Sequence, residues 1–257
     1  MSPEIRPIRA YEAEAFWAVL VECFHLDPGR QWIFQNEPYF DLNRKWGAWK
    51  DGRLVTILTT VPLTFGWGRA IGIAGVATLP QFRGQGLAEA MLQTVLAQAE
   101  ADGEGPALLF AHETTVYRRV GFELMDTVVR GTLIGSDLAP AQAFSGQQVR
   151  EMYAAWSAQD PDRLVRDARR WQYWEWFTRT CEAVGPGYLC LEPPLVREAL
   201  GIPTGLSAWP VPAGTDWLGL KSMTDQLGVP LLHQKQELML MARGFSRPPQ
   251  MFMTDQF

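Results

Sequence analysis

The fold of this chain is decided by one short stretch of sequence, Val76-Ala77-Thr78-Leu79-Pro80-Gln81-Phe82-Arg83-Gly84-Gln85-Gly86-Leu87-Ala88. An apolar strand pattern ends in this stretch, a loop with an arginine and two glycines follows, and a helical pattern begins at Leu87. Backbone N–H groups at a helix start lack partners and carry partial positive charge, and glycine lets a ligand approach that backbone closely. We therefore predict a cradle for a diphosphate at residues 83–88, whereas a lone Gly-x-Gly would indicate only a tight turn.

Regular patterns continue on the C-terminal side of this loop. Residues 87–100 place apolar side chains on one face of a helix, and residues 107–111 form a short apolar run that is typical of a buried strand. Residues 114–120 are predicted to make one or two helical turns, and residues 122–133 to form the next strand.

A β-hairpin precedes the loop. Residues 46–50 and 53–63 flank Asp51-Gly52, a two-residue turn whose backbone twist matches that of the strands it joins. Residues 71–78 follow as another strand. Gly72 and Gly75 within this strand predict a bulge, or a close approach of another group to the backbone.

The amino-terminal residues complete a mixed arrangement. Ile5 and Ile8 lie in a short predicted strand, residues 11–24 show helical spacing, and residues 32–43 are an irregular aromatic segment. The first half thus runs β-α-α-β-β-β-α-β-α-β. This order predicts an α/β fold of the α+β type, a mixed sheet with helices on its faces.

A shift in composition near residues 135–140 predicts a domain boundary, with one domain at residues 1–135 and a smaller α/β domain at residues 136–257. In the second domain we predict helices at residues 141–158, 162–180, 195–200 and 221–227, and strands at residues 188–191, 217–220 and 238–242. No motif in this half indicates a particular chemistry.

The pattern V-x-T-x-P-x-x-R-G-x-G-L-A, set between a strand and an amphipathic helix, resembles the acetyl-CoA signature of the GNAT superfamily. This resemblance implies the GNAT acyl-CoA N-acyltransferase fold and acetyl-CoA as cosubstrate. It also implies that the strand end holds the pantetheine arm and that the loop and helix start hold the phosphates. The implied coenzyme-binding residues are Val76, Ala77, Thr78, Arg83, Gly84, Gln85, Gly86, Leu87 and Ala88.

A second motif follows downstream, Tyr117-Arg118-Arg119-Val120-Gly121-Phe122, and matches the Y-x-x-x-G-F that GNAT enzymes commonly show. The resemblance implies that the Tyr117 hydroxyl lies near the coenzyme sulfur and protonates the departing thiolate as a general acid. The alternative is that Tyr117 is an aromatic residue of the core.

The spacing of Glu113 and Tyr117, followed by Arg-x-Gly-Phe, is similar to the enhanced intracellular survival branch of GNAT acetyltransferases, which acetylate aminoglycosides and other amines. This chain is far shorter, and His112 stands where that branch has serine. Members of the branch use the α-carboxylate of their last residue as general base, which implies this role for Phe257. The resemblance also makes residues 136–257 an incomplete GNAT-like unit that contributes to the acceptor pocket.

Each candidate base has an alternative without chemistry. The tail that ends in Phe257 can dock or fray with no catalytic part. Glu113 can accept the proton of the amine directly or through water, or it can serve as an ion-pair partner or a helix cap.

The composition excludes several classes of protein. A formal net charge of −5 does not suit a nucleic-acid binder, which normally shows a basic stripe. The charged amino terminus lacks the apolar stretch of a signal peptide, and no run of about 18 apolar residues predicts a membrane helix. We expect a cytoplasmic protein without nucleic-acid or membrane partners, and the sequence leaves open whether it forms a homo-oligomer.

We predict no metal site, because no metal-ligand spacing links the three histidines, His25, His112 and His233. The three cysteines are Cys23, Cys181 and Cys190. Their number is odd and no Cys-x-x-Cys occurs, so we expect reduced, buried thiols without catalytic function.

Together these features predict an N-acetyltransferase that moves an acetyl group from acetyl-CoA to a primary amine of a small molecule or peptide, by direct attack on the thioester. An alkylammonium has a pKa of about 10, so a base must remove a proton first. Three alternatives remain: a non-catalytic acyl-CoA-binding sensor or regulatory module, a transferase for longer acyl groups, and a structural protein on the same scaffold. The sequence does not identify the amine.

Overall fold

The computed structural model describes residues 3–136, 144–177 and 180–257 of the chain. The elements of its first half are, in order, β1 (Glu4–Pro7), α1 (Ala13–Phe24), α2 (Gln31–Asn36), β2 (Lys45–Lys50), β3 (Arg53–Phe65), β4 (Gly68–Thr78), α3 (Leu87–Ala101), β5 (Ala107–Ala111), α4 (Thr115–Arg119) and β6 (Glu123–Leu133). This is the order that the sequence predicts, and it confirms the mixed α/β fold class.

The elements of the second half are α5 (Gly146–Ser157), β7 (Leu164–Val165), α6 (Ala168–Trp176), β8 (Thr180–Val184), β9 (Gly187–Glu192), β10 (Leu195–Leu200), β11 (Asp216–Leu220), α7 (Lys221–Leu227) and β12 (Leu231–Arg243). The predicted helix at residues 221–227 and the predicted strands are confirmed. Residues 141–143 of the first predicted helix lie outside the described residues.

Two helix predictions for this half are wrong. Residues 195–200 form strand β10, which pairs with β9 and β11. Glu198 in this strand is buried in an ion pair with Arg166, and such tertiary contacts override the helical preference of the local sequence. The helix predicted over residues 162–180 is confined to α6, because β7 pairs with β3 and Thr180 already begins β8.

The twelve strands of the described residues join one sheet in the order β1-β2-β3-β4-β5-β12-β6-β11-β10-β9-β8, with β7 paired to β3 outside this path. β12 runs antiparallel to both β5 and β6 and separates them. The last strand of the chain therefore lies among the strands of the first half. The predicted domain division after residue 135 stays a prediction, and the sheet continues through β6 into β11.

A hairpin turn and a strand bulge, each with a glycine of positive φ, shape the sheet around β3 and β4. Asp51 and Gly52 both have positive φ, 50° and 76°, as the predicted two-residue hairpin turn requires. In β4, Gly75 has φ 60°, and Gly75 and Val76 together oppose the single residue Leu58 of β3. This is the predicted bulge, and a bulge bends the strand that contains it.

The bulge opens the sheet between β4 and β5. These parallel strands pair only where Ile71, Gly72 and Ile73 face residues 107–109. From residue 74 onward β4 pairs with β3 alone. The result is an opening at the C-terminal ends of two neighbouring parallel strands, a position where α/β proteins often bind ligands.

Helices cover both faces of the sheet. On one face α3 packs against β4 and β5 through Met91 and Val95. On the other face α6 contributes Trp171 and Trp174, which pack with the C-terminal residues 251–253. In the described part of the chain, no helix has the length and apolar character needed to cross a membrane.

Candidate active site

The loop of residues 79–86 connects β4 to α3. Gly84 and Gly86 have left-handed backbone angles, φ 75° and 74°, and a Cβ at either position would meet no atom within 4 Å. The backbone conformation, rather than lack of space, therefore favours glycine here. Gly86 caps α3 without a side-chain hydrogen bond, so the first N–H groups of the helix remain available to an anion.

A cavity of about 650 Å³ extends from this loop to α4. All nine predicted coenzyme-binding residues line it, and so do the predicted acid Tyr117 and the candidate base Glu113. The other residues that line the cavity are Cys23, Phe24, Phe82, Glu89, Val116 and Arg119. The structure thus brings both sequence motifs together at the opening between β4 and β5.

Tyr117 lies on α4 and is half-buried. Its ring packs edge-on against Phe122 with 6.3 Å between the ring centroids. Its hydroxyl makes no hydrogen bond to any residue in the described ranges. Burial raises the pKa of the Tyr117 phenol above its usual value, so the hydroxyl keeps its proton at neutral pH and can donate it to a ligand in the cavity.

Glu113 and His112 follow the end of β5, and both are exposed. Glu113 makes no ion pair or hydrogen bond within the described residues, and Thr114 rather than Glu113 is the N-cap of α4. Within the described residues, Glu113 therefore serves neither as an ion-pair partner nor as a helix cap. His112 is not among the residues that line the cavity.

The C-terminal end of α1 also reaches the cavity, which the sequence did not indicate. Cys181 and Cys190 are buried as predicted, whereas Cys23 is only half-buried and lines the cavity. Burial raises the pKa of the Cys23 thiol, and Arg83 offsets part of this effect. The Arg83 Nε also donates to the Thr78 carbonyl at 3.0 Å, which ties the loop to the end of β4.

The last residue, Phe257, packs on the face of the sheet opposite α3. A Cβ on Gly72 would lie 2.4 Å from the nearest carbon of the Phe257 ring, so Phe257 makes the close approach that the glycine predicted. The ring centroid lies 5.7 Å from that of Phe110 in β5. Phe257 does not line the 650 Å³ cavity but borders a second one of about 310 Å³, together with Tyr173 of α6.

The predicted acid and the predicted terminal base thus approach the junction of β4 and β5 from opposite faces. Tyr117 packs with the cluster on the α3 face, which includes Ile71 and Ile73. Gly72, which lies between them in β4, contacts Phe257 on the other face, because successive residues of a strand alternate in direction.

Comparison with known families identifies the first part of the chain. Residues 4–125 match the family model of the acetyltransferase (GNAT) domain. These residues, a little under half of the chain, are similar to the GNAT acetyltransferase domain. The predicted family is confirmed, and GNAT acetyltransferases use acetyl-CoA as their cosubstrate, as the sequence motif implied. The GNAT domain match covers β1 to β5 completely and ends within β6.

A curated relative of this chain is an uncharacterized N-acetyltransferase of Streptomyces griseus, 29% identical over 197 residues that cover 67% of this chain and 47% of the relative. The chain therefore spans about half the length of the curated relatives it matches.

Solved GNAT structures share the fold over nearly the whole chain. A GCN5-related N-acetyltransferase from Kribbella flavida has a TM-score of 0.70 at 15% identity and covers 94% of this chain and 71% of its own. Eis1 from Mycobacterium abscessus has a TM-score of 0.61 at 17% identity, with 93% and 72% covered. At sequence identities of 15% and 17%, this structural similarity shows a shared fold and nothing more.

Proposed function

We propose that the protein transfers an acetyl group from acetyl-CoA to a primary amine. The observation that carries this proposal is the single cavity in which the glycine loop, the end of β4 and Tyr117 meet. The matched GNAT domain and the relative named as an N-acetyltransferase support it.

The residues of the cavity fit the coenzyme. The uncapped start of α3, with Gly84 and Gly86 before it, offers main-chain N–H groups to a diphosphate. Residues 74–78 of β4 have no strand partner on the side of β5, so their free N–H and C=O groups can pair with the amides of a pantetheine arm. The coenzyme itself supplies the activated thioester.

The transfer requires a base for the ammonium and an acid for the departing sulfur. The base removes one proton from the ammonium, and the amine nitrogen then forms a bond to the carbonyl carbon. The carbon–sulfur bond breaks as Tyr117 gives its proton to the sulfur, and the second proton lost from the nitrogen restores the Tyr117 hydroxyl through water. A free N–H group of β4 near Val76 stabilises the negative charge that develops on the carbonyl oxygen.

We assign the base to Glu113. Its side chain lines the same cavity as the glycine loop and Tyr117, and it makes no ion pair or hydrogen bond within the described residues, so its carboxylate is free to accept the proton of the amine.

The test is release of free thiol from acetyl-CoA, measured against a panel of small amines and peptides. We expect thiol release with at least one amine, and loss of this activity by about a hundredfold in Glu113→Gln, because the ammonium loses its base. Unchanged activity in Glu113→Gln would remove Glu113 from the mechanism.

Calorimetry with coenzyme A separates the remaining alternatives. Binding without thiol release from any amine would indicate the non-catalytic acyl-CoA-binding module. No binding of coenzyme A or its thioesters would contradict the proposed function altogether.

A further inference from the structure

Two residues of opposite charge connect α3 and α4 beside the 650 Å³ cavity. Glu89 lies in the first turn of α3, and Arg119 is the last residue of α4. Both line the cavity, and the Nη1 of Arg119 lies 3.6 Å from the Oε2 of Glu89. The ion pair therefore joins the helix whose start faces the coenzyme loop to the helix that carries Tyr117.

This ion pair is loose. At 3.6 Å its two atoms are too far apart for a hydrogen bond, and the Arg119 guanidinium donates no hydrogen bond to any residue that the structure describes. The side chain of Arg119 is 65% exposed and that of Glu89 is 32% exposed. Because exposed pairs of this kind contribute little to stability, Arg119 can exchange Glu89 for another anion at small cost.

The position of Glu89 sets its carboxylate against a phosphate ligand. The start of α3 carries partial positive charge, which favours a carboxylate in the first turn of the helix. A diphosphate at the glycine loop would be attracted by the same partial charge. Two anions at one helix start repel each other unless a cation lies close to both, and Arg119 is a cation beside Glu89.

The charged side chains that line the cavity offer no surplus of positive charge. Among the described residues they are two cations, Arg83 and Arg119, and two anions, Glu89 and Glu113. The Nε of Arg83 already donates to the Thr78 carbonyl. Coenzyme A brings several negative charges on its phosphate groups, and a planar guanidinium presents N–H donors in a fork that fits phosphate oxygens. Arg119 can supply this fork once it leaves Glu89.

We propose that Arg119 exchanges Glu89 for a phosphate group of the coenzyme, so that Glu89 competes with the coenzyme for one guanidinium. This proposal rests on the proposed function, since it takes the coenzyme as the ligand of the cavity. Arg119 follows Tyr117 by two residues on the same short helix. The bond to phosphate therefore also ties the proton donor to the bound coenzyme.

The test measures coenzyme A binding by calorimetry for Arg119→Gln, for Glu89→Gln and for a matched control, Arg118→Gln. Arg118 precedes Arg119 on α4, is exposed, and is not among the residues that line the cavity. We expect Kd to rise by about tenfold in Arg119→Gln, which loses a charge-assisted hydrogen bond to phosphate. We expect Kd to fall by about threefold in Glu89→Gln, which loses the competing carboxylate. The control should match the wild type.

The opposite signs of these two changes exclude a merely structural role of the ion pair. Arg119→Gln and Glu89→Gln break the same contact between α3 and α4, so a structural effect would shift Kd in the same direction in both. Shifts in the same direction, or an unchanged Kd in either variant, would overturn the proposal. Since both side chains are exposed, all variants should unfold at the temperature of the wild type.

A second ligand, 3′-dephospho-coenzyme A, identifies the phosphate that Arg119 binds. If Arg119 binds the 3′-phosphate, Arg119→Gln loses affinity for coenzyme A but keeps its affinity for the dephospho compound. If Arg119 binds the diphosphate, the affinity for both ligands falls equally.

The outcomes also separate this proposal from the proposed function. The expected changes in Kd without thiol release from any amine would support the role of Arg119 and contradict acetyl transfer. Thiol release with an unchanged Kd in Arg119→Gln would overturn the role of Arg119 alone. A wild type that does not bind coenzyme A would overturn both.

Discussion

At the scale of single residues, Tyr117 shows how burial prepares a side chain for proton transfer. Tyr117 lines the cavity, and its hydroxyl makes no hydrogen bond within the described residues. The pKa of Tyr117 lies above the usual value because burial disfavours the phenolate. A phenol that stays protonated can donate to a thiolate as the thiolate forms.

Replacement of Tyr117 by Phe should lower kcat by about a hundredfold, because the leaving thiolate loses its proton donor. The affinity for coenzyme A should remain close to that of the wild type, since the ring and its contact with Phe122 are retained. Steady-state kinetics and calorimetry measure the two quantities. An unchanged kcat would remove Tyr117 from the mechanism.

The raised pKa of Tyr117 also predicts how kcat depends on pH under alkaline conditions. A general acid works only while protonated, so activity is present below its pKa and is lost as the pH rises through it. Because burial raises the pKa of Tyr117 above the usual phenol value of 10.0, deprotonation of Tyr117 should not lower kcat between pH 8 and about 10. The assignment would be contradicted if the kcat of the wild type fell within this pH range while the kcat of Tyr117→Phe did not.

Gly72 sets the position of the terminal ring. The three nearest heavy atoms to an added Cβ all belong to the ring of Phe257. Gly72→Ala should therefore destabilise the protein by about 1–3 kcal/mol, the usual effect of overpacking. In a Phe257→Ala background the same substitution should have much less effect, and urea unfolding of the four proteins measures this coupling. Equal effects in both backgrounds would show that Phe257 does not pack on Gly72.

At the scale of elements, a strand bulge and a helix start combine to make the site. The bulge at Gly75 bends β4 away from β5, and the loop that follows presents the uncapped end of α3 at the same opening. Neither element alone would bind a coenzyme. The pantetheine arm needs the strand edge that the bulge exposes, and the diphosphate needs the partial positive charge of the helix start.

A matched pair of glycines tests the helix start. Gly86 and Gly103 have nearly the same left-handed φ, 74° and 72°, and an added Cβ has open space at both. Gly86→Ala should weaken coenzyme A binding by about tenfold, because its new methyl group and strained backbone disturb the main-chain N–H groups offered to phosphate. Gly103→Ala should have a similar thermal stability to Gly86→Ala and unchanged binding. Equal binding by both variants would place the diphosphate elsewhere.

At the scale of the whole molecule, β12 joins the two halves of the chain. It pairs with β5 along residues 239–243 and with β6 along most of its length. Without β12, β5 would retain only its three-residue pairing with β4, and β6 would lose the strand on one side. The C-terminal tail, with Phe257, then packs across the sheet of the first half.

A fragment of residues 1–135 should therefore not fold cooperatively, even though it contains the matched GNAT range. Thermal unfolding followed by circular dichroism should show no sharp transition for this fragment. Addition of a separate chain of residues 136–257 should restore the transition, because it brings β12 back between β5 and β6. A cooperative transition in the isolated fragment would support the predicted domain division as a division into folding units.

Local patterns in the sequence were enough to predict the elements of the first half. The Asp51-Gly52 hairpin, the strand of β5 and the helix that starts at Leu87 all follow from turn chemistry and periodicity over a few residues. The glycine loop and Tyr117, which belong to such local motifs, line one cavity in the structure. The sequence thereby determined the resemblance of its first half to the GNAT domain and the position of the candidate coenzyme loop.

Only the tertiary structure decided that β12 separates β5 from β6, that residues 195–200 are a strand, and that Cys23 reaches the cavity. It also decided that Arg166 binds Asp255 and Glu198. These features join residues far apart in the chain, and their free energy comes from burial and pairing with distant partners. No window of local sequence contains both partners, so neither periodicity nor turn chemistry could indicate them.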